Sequence, residues 1–251
     1  MSTYLFVGHV EVAPNGTMTI TRRSVGDAGI VVDQAAGNES AGVLVVEWSS
    51  NTFKMVDTET GAIAAVTGIP LSEVGGSNYV VPFATGTSYL VMHYGATTSQ
   101  KLRRYSVPLA GGAASTLTPY MDIPDTTFAR EETVFDEGAI IAVIGTFEGS
   151  SPDGTGVVMH LFDGTDADPV FTLVLYDGLG NTYWNPDTPL ICGFAKVDGT
   201  YQVTYPRAVL VDIDGLAPGW TSYVRRSVDI VTGDLGPEVL VTDSFGSSVG
   251  T

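Results

Sequence analysis

The chain has 251 residues and a formal net charge of −17, which comes from 28 acidic and 11 basic side chains. A surface this negative repels the phosphate backbone of nucleic acids and the anionic surface of a membrane, so neither is expected as a partner. A content of 44% hydrophobic and 16% charged residues is typical of a folded globular protein and excludes a disordered chain. All-β barrels and propellers of this length form one domain, so we predict a single domain over residues 1–251.

Cys192 is the single cysteine, so an intrachain disulfide is excluded. It lies in the apolar run LICGFA, where we expect a buried structural thiol rather than a nucleophile. The first residues contain no basic segment followed by an apolar one, so we expect no secretory signal. No apolar run reaches the roughly 18 residues of a membrane span. Synthesis in a cytoplasm follows from these patterns.

The first elements in chain order form a predicted β-hairpin. Residues 2–12 are mostly apolar, Asn15-Gly16 suits a tight turn, and residues 17–24 alternate between apolar and polar side chains. A strand is predicted next at residues 30–33, followed by a polar loop through Asn38 and Ser40.

Four more predicted hairpins follow along the chain. In order, they pair residues 43–48 with 52–57, 87–95 with 100–107, 139–147 with 157–163, and 190–197 with 201–214. Further strands are predicted in the runs AIAAVTGI, NYVVPFATG, VFTLVLYDG, TSYVRRSVDIV and EVLVTDSF. The nearest candidate for a helix, residues 126–134, lacks apolar residues at helical spacing. We therefore predict an all-β fold.

The hairpin turns recur at loosely regular intervals, with markers at Asn15, Ser50, Thr97, Asp153 and Asp198. Their mean spacing is about 46 residues, close to the ~40–50 residues of a four-stranded propeller blade. We predict a β-propeller of about five four-stranded blades closed by the two termini. The alternative is a β-sandwich or a two-sheet barrel.

The closure follows from a short internal similarity. The segment STYL at residues 2–5 resembles TSYL at residues 87–90, and the second copy is preceded by the strand run NYVVPFATG. The C-terminal run VLVTDSFGSSVGT would supply the corresponding strand to the first copy. We therefore expect residues 238–245 to pair beside residues 4–12, because a blade shared by both termini removes free sheet edges.

The histidine and aspartate residues, which metals favour as ligands, do not occur at the spacing of a metal site. His9, His93 and His160 lie on predicted strands without forming a close pair such as H-x-x-x-H, so we expect packed side chains. The densest acidic loop is DGTDADP, which contains Asp163, Asp166 and Asp168. Carboxylates are the ligands that Ca²⁺ prefers, but this spacing does not match a calcium loop, and Asp and Gly are ordinary turn residues. Whether this loop binds a cation stays open.

The shorter acidic pair is weaker still. Asp212 and Asp214 share one face of a strand, but they offer no third ligand. We predict no metal site and no cofactor.

Paired carboxylates could flank a sugar at the axis of a propeller, if they lay ~5–10 Å apart. The candidates are Glu47, Asp122, Glu131, Glu132 and Asp136. A chain with 28 acidic side chains yields such a set readily. No G-x-S-x-G nucleophile elbow and no glycine-rich phosphate loop occur. We predict no catalytic residues.

Arginine occurs in three adjacent pairs, Arg22-Arg23, Arg103-Arg104 and Arg225-Arg226. We expect solvated arginines that pair locally, with each contact worth ~0–1 kcal/mol. The alternative is that an outward arginine contacts acids on a neighbouring copy.

Aromatic residues near strand ends and in loops are the candidates for a glycan site. Trp184 in NTYWNPD suits stacking on a sugar, although a tryptophan that covers the core is the alternative. The others are Trp48, Trp220, Tyr79, Tyr94 and Tyr183.

In general character the whole chain resembles β-propeller-type structural components of tailed-bacteriophage virions. The resemblance lies in the leaderless all-β design, the acidic composition rich in Thr, Val and Gly, and the absence of catalytic motifs. It implies a non-enzymatic tail or capsid accessory subunit, located in the virion, whose partners are copies of itself and other virion proteins. The alternatives are a carbohydrate-binding propeller that recognises a cell-surface glycan, and a glycoside hydrolase with axial carboxylates.

Overall fold

The computed structural model describes residues 4–12, 18–27, 32–37, 42–47, 50, 52–70, 79–94, 100–124, 133–148, 155–177, 192–208 and 220–241. All regular structure within these ranges is β-strand, which confirms the predicted all-β class. No helix that could span a membrane occurs in them. The chain divides into two compact units, Met1–Asp122 and Ile123–Thr251. The single domain over residues 1–251 stays a prediction.

The first unit begins with sheet A, the predicted hairpin of β1 (Tyr4–Val12) and β2 (Met18–Asp27). Its Asn15-Gly16 turn lies outside the described residues. Sheet B is an antiparallel meander of four strands, β3 (Gln34–Gly37), β4 (Gly42–Glu47), β5 (Thr52–Asp57) and β6 (Ile63–Thr67).

Sheet C completes the first unit with β7 (Tyr79–Thr85), β8 (Ser88–Tyr94) and β9 (Gln100–Ser106), again an antiparallel meander. Three short strands follow, β10 (Gly112–Ala113), β11 (Ser115–Thr116) and β12 (Met121–Ile123). The chain returns to sheet B at β10, which pairs in parallel with β6. Strands β11 and β12 both pair with β9.

The second unit consists of two four-stranded antiparallel meanders. Sheet D contains β13 (Thr133–Asp136), β14 (Ile141–Glu148), β15 (Thr155–Phe162) and β16 (Phe171–Tyr176). Sheet E contains β17 (Gly193–Val197), β18 (Thr200–Ala208), β19 (Trp220–Val228) and β20 (Val239–Val241).

Each unit has its own hydrophobic core. In the first unit, side chains from sheets B and C meet, namely Leu44, Val46, Phe53, Met55, Val66, Ile69, Val80, Tyr89, Val91, Tyr105 and Val107. In the second unit, sheets D and E supply Ile140, Ala142, Ile144, Val157, Met159, Leu161, Leu175, Phe194, Tyr201, Val203, Tyr205, Val224 and Val228. Full burial of one such large apolar side chain contributes about 1.5–3 kcal/mol. The first strands of the sheets also meet within each unit, β3 with β7 and β13 with β17.

The inner strands are buried on both faces. All seven residues of β8 are buried, and so are residues 141–145 of β14. Strands covered on two sides read as continuous apolar runs because neither face contacts water. The runs VLVVE of β4 and YLVMHY of β8 have this character.

The turn at Asp198-Gly199 confirms the fifth predicted hairpin. Asp198 has φ 49° and Gly199 φ 82°, and Val197 pairs with Thr200 across the turn. Two successive positive φ values define the tight hairpin turn whose twist matches that of the strands. This turn joins the first and second strands of its sheet, whereas the connections β4–β5, β8–β9 and β14–β15 join second and third strands. This difference shortens the interval between the last two markers.

Two local predictions differ from the structure. The loop predicted after residue 33 contains strand β3, and Val32 and Asp33 are not part of a strand. Strand β20, predicted to pair beside residues 4–12, pairs with β19 through Tyr223, Val224 and Arg225. The rest of the predicted closing segment, residues 242–245, lies outside the described residues. The closure and the number of blades stay predictions.

Adjacent glycines before β10 give a matched test of close packing. Both need positive φ, 76° at Gly111 and 97° at Gly112. A Cβ atom on Gly111 would lie 2.5 Å from Ala64 Cβ and 2.7 Å from the Ala65 carbonyl oxygen, whereas one on Gly112 would meet nothing within 4 Å. We expect Gly112→Ala to lower the free energy of unfolding by about 1 kcal/mol through backbone strain. Gly111→Ala should cost about 1–3 kcal/mol more, because the backbone of β6 must move.

Urea denaturation of the two variants measures this difference. Equal stability of Gly111→Ala and Gly112→Ala would contradict the close approach of Gly111 to β6.

Candidate functional site

Strand β9 of sheet C carries a group of basic side chains. Strand β9 contains Lys101, Arg103 and Arg104, and alternation places Lys101 and Arg103 on one face. His93 on β8 is the register partner of Lys101, so it shares that face. Strand β12 pairs with β9 and brings Asp122 beside Lys101, with 3.0 Å between Lys101 Nζ and Asp122 Oδ1.

Tyr120, just before β12, is the centre of this cluster. The Arg103 guanidinium carbon lies 3.6 Å from the Tyr120 ring centroid, and Lys101 Nζ lies 5.9 Å from it. The His93 ring meets the Tyr120 ring edge-on, with 5.5 Å between centroids and 84° between planes. A cation over an aromatic face is attracted by the ring quadrupole, so Tyr120 holds Arg103 in place. We call Lys101, Arg103, Tyr120 and Asp122 the Arg103 cluster.

The charges of the Arg103 cluster do not cancel. Asp122 pairs with Lys101, and both are partly exposed, at 49% and 34% of their side chains. Arg103 forms no ion pair with a described residue, and its buried Nε has no hydrogen-bond acceptor among them. In a chain with 28 acidic and 11 basic side chains, a net positive site of this kind suits an anion.

The second unit contains an open cleft of about 480 Å³ between the Asp198-Gly199 turn and the β19–β20 connection, lined by residues 199–201, 227–230 and 234–236. Tyr201 supplies the aromatic ring of this lining. That ring is stacked on Phe194, 5.6 Å away at 16°, and Lys196 Nζ lies 5.3 Å from its centroid. Because these neighbours already contact the ring, it makes a poor platform for a sugar.

Both carboxylates of the cleft help to form its turn. Asp229 Oδ1 accepts hydrogen bonds from the backbone N–H groups of Val231 and Thr232, which lower its pKa. Asp234 Oδ2 accepts a hydrogen bond from the Thr232 hydroxyl at 2.8 Å. These polar groups are therefore already hydrogen-bonded within the protein, which favours weak ligand contacts over catalysis.

Arg226 donates hydrogen bonds to the β19–β20 connection. Its Nε donates to the Gly236 carbonyl at 2.7 Å, and a terminal nitrogen donates to the Leu235 carbonyl at 3.4 Å. Beside it, the Tyr205 hydroxyl donates to Glu238 at 3.1 Å, and burial raises the pKa of Tyr205 to about 12. Arg226 thus pairs locally, as expected, while its neighbour Arg225 is exposed. Nothing is described of the side chains of Arg22 and Arg23.

The acids proposed for glycoside hydrolysis have structural partners where they are described. Lys54 Nζ donates to Glu47 Oε2 at 2.9 Å and, with Ser50 and Thr52, lowers the pKa of Glu47. Asp136 Oδ1 accepts the backbone N–H of Gly138 at 2.8 Å. A general acid needs a raised pKa, so Glu47 is poorly suited to that role. Glu131 and Glu132 lie outside the described residues.

The described side chains of the loop DGTDADP are arranged as a turn. Asp163 Oδ1 accepts the backbone N–H of Thr165 at 2.9 Å and its hydroxyl at 2.7 Å, and these bonds lower the pKa of Asp163. Asp166 and Asp168 are exposed. No group of three potential metal ligands forms within the described residues. The loop has the ordinary geometry of a turn in which Asp mimics a backbone acceptor.

The other sequence candidates divide between core positions and residues outside the description. His93 and His160 are each 2% exposed on inner strands. Cys192 packs against the second core, where burial raises its pKa to about 12, so the thiol is not a nucleophile at neutral pH. Tyr94 is buried. Nothing is described of the aromatic side chains at positions 48, 79, 183, 184 and 220, of the carboxylates at 212 and 214, or of the ring of His9.

Sequence reasoning missed Lys101 and Tyr120. The hairpin prediction for residues 87–107 contained the signal for Lys101, because its register aligns Lys101 with His93 and alternation adds Arg103. Tyr120 had no such signal, since its position depends on the pairing of β12 with β9.

Comparison with known proteins gives little guidance. No protein-family model matches the chain, and no curated protein does. Among solved structures, it is similar to acylaminoacyl peptidase of Pyrococcus horikoshii at 8% identity, over 84% of this chain and 32% of that one, with a TM-score of 0.43. It is also similar to an α-L-arabinofuranosidase of Clostridium thermocellum at 12% identity, over 96% of this chain and 90% of that one, with a TM-score of 0.41.

A luciferin-regenerating enzyme matches at 9% identity, over 84% of this chain and 60% of that one, with a TM-score of 0.38. The chain spans about a third of the peptidase that it matches. Likenesses this low assign neither a fold nor an activity to the chain.

His160 makes the stability depend on pH. It is buried, its Nδ1 lies 3.0 Å from the Thr172 hydroxyl oxygen, and desolvation lowers its pKa from 6.5 to about 4. Between these values the unfolded chain binds a proton that the folded chain excludes, so stability is lost as the pH falls through this window. We expect the wild type to lose about 3 kcal/mol more than His160→Gln across the window.

Urea denaturation of the wild type and of His160→Gln, at the pH values that bound this window, measures the loss of stability of each protein. Parallel pH curves for wild type and His160→Gln would contradict a buried, neutral His160.

Proposed function

We propose that the protein is a non-enzymatic structural subunit of a tailed-phage virion, a tail or capsid accessory part built as a β-propeller of about five blades. The observation that carries this proposal is the exposed apolar edge strand β20. Val239, Leu240 and Val241 are 49%, 60% and 38% exposed, and β20 is the last strand of sheet E. An exposed apolar edge is a template for pairing with another chain, so it suits a subunit that is held in an assembly.

The repeated meander supports the propeller. Sheets B, C, D and E follow one another along the chain, and each begins as an antiparallel meander. The contacts of β3 with β7 and of β13 with β17 bring first strands together within each unit, as the strands nearest the axis of neighbouring blades do. In this proposal sheet A, with two described strands, is part of the blade that the two termini share.

The partners of the described carboxylates support a non-enzymatic role. Glu47 is engaged by Lys54, and Asp163 is engaged within its own turn. Both carboxyl pKa values are lowered. Acid–base catalysis by a carboxyl pair needs two environments that push the pKa values apart, whereas these groups serve structure.

A charge on the edge strand tests the assembly. We expect the wild type to form oligomers in sedimentation velocity and Leu240→Lys to shift them toward the monomer, because a lysine on an edge strand opposes strand pairing. Val231→Lys is the matched control, since Val231 is 82% exposed but lies off the edge strand. A monomeric wild type, or equal effects of the two lysines, would contradict the proposal.

A deletion tests the closure of the ring. Removing residues 242–251 leaves the pairing of β20 with β19 intact, because β20 ends at Val241. If these residues complete sheet A, the variant has a new free edge beside β1 and should melt at a lower temperature and aggregate. Light scattering during a thermal ramp measures both, and an unchanged melting profile would contradict the closure.

Glycan binding is the second candidate function, and the cleft of about 480 Å³ in the second unit favours it. Because Asp229 and Asp234 are already hydrogen-bonded within their turn, we expect binding at this cleft to be weak. A glycan array with purified protein separates the two functions, because specific binding by the monomer would favour this candidate over assembly. Oligosaccharide turnover in the same samples would instead favour the hydrolase alternative.

A further inference from the structure

The Arg103 cluster is built to receive a carboxylate. The Tyr120 ring covers one face of the Arg103 guanidinium at 3.6 Å, and a guanidinium stacked on its face keeps its N–H groups in its own plane. Those N–H groups form a planar fork that matches the two oxygens of a carboxylate. The ring fixes the guanidinium beforehand, so less rotamer entropy is lost when an acceptor binds.

The charge within the cluster leaves room for one more anion. Asp122 Oδ1 lies 3.0 Å from Lys101 Nζ and neutralises that cation. Arg103 has no ion pair with a described residue, and its buried Nε has no acceptor among them. A carboxylate from another molecule could not reach the buried Nε, but it could pair with the terminal N–H groups and neutralise the guanidinium.

We propose that this carboxylate comes from the acidic loop Asp163–Asp168 of a second copy of the chain, which rests on the proposed role as an assembly subunit. Within the loop, Asp163 is occupied by Thr165, whereas Asp166 and Asp168 are exposed and form no hydrogen bond with a described residue. Two free carboxylates two positions apart are strongly negative, and they complement the positive Arg103 cluster.

The contact reconciles assembly with a charge of −17 on every copy. Acidic copies repel one another unless a specific opposite-charge contact orients them. Arginine and tyrosine are the residues that anchor protein interfaces most often. The two surfaces lie on different parts of the chain, so the contact joins unlike surfaces of two copies.

A double-mutant cycle on the association constant tests the contact. Sedimentation equilibrium of the full-length chain compares the wild type, Arg103→Gln, the loop variant Asp166→Asn/Asp168→Asn, and the combination. We expect each change to lower the association constant about tenfold, as the loss of a close charge pair does. The combination should lower it no further, because both changes remove the same contact.

Arg225→Gln is the matched control, since Arg225 is the exposed member of the equivalent arginine pair on β19, and it should leave association unchanged. The loop variant changes exposed side chains only, so it keeps the test valid if Arg103→Gln fails to fold. Additive losses of the association constant in the cycle would overturn this inference, and so would an Arg103→Gln variant that associates like the wild type. The Leu240→Lys variant would still test the proposed function in either case. A monomeric wild type would overturn both.

Discussion

The constraint on which this fold depends is the burial of its inner strands on two faces. All seven residues of β8 are buried, and the core positions of β4, β14 and β15 are covered in the same way. A single sheet cannot shield both of its own faces from water, so such strands need neighbouring elements to cover them. Within each unit the sheets pack in pairs, B on C and D on E, and this packing covers one face of each sheet. Polar side chains on these strands are buried as well. Glu47 forms an ion pair with Lys54, and His160 stays neutral.

The few described cations have different tasks. Lys54 neutralises a carboxylate at the margin of a core, and Arg226 holds the carbonyls of the β19–β20 connection. Arg103 stacks on an aromatic ring and keeps donors for an acceptor that the described residues do not supply. In a chain with 28 acids, such an arginine distinguishes this surface from the rest more clearly than any acidic cluster does. Several described acids, among them Asp57, Asp163 and Asp229, accept hydrogen bonds within turns. The exposed apolar edge strand β20 and the stacked guanidinium of Arg103 have no such structural role among the described residues.

Much of the strand order follows from local patterns. The pairs β4–β5, β8–β9 and β14–β15 are long apolar or alternating runs, and the Asp198-Gly199 turn needs residues that tolerate positive φ. Strand β3 was missed because QAAG has neither β-branched residues nor alternation, and its pairing with β4 alone makes it a strand. The Arg103 cluster was only half predictable for the same reason. Alternation aligns Lys101 with Arg103, but Tyr120 arrives through a tertiary pairing that leaves no local trace.

The parallel pairing of β10 with β6 has a consequence for the order of folding. During synthesis, β3 to β6 leave the ribosome first, but the outer edge of β6 stays open until Gly112 and Ala113 emerge and pair with Val66 and Thr67. By then all of β7, β8 and β9 has been made. Sheet B is thus finished by a segment that can reach it only after sheet C has begun to form. Closing a loop of this length early costs entropy that only the later contacts repay. Nascent chains of the first unit should therefore gain their stability in one late step rather than sheet by sheet.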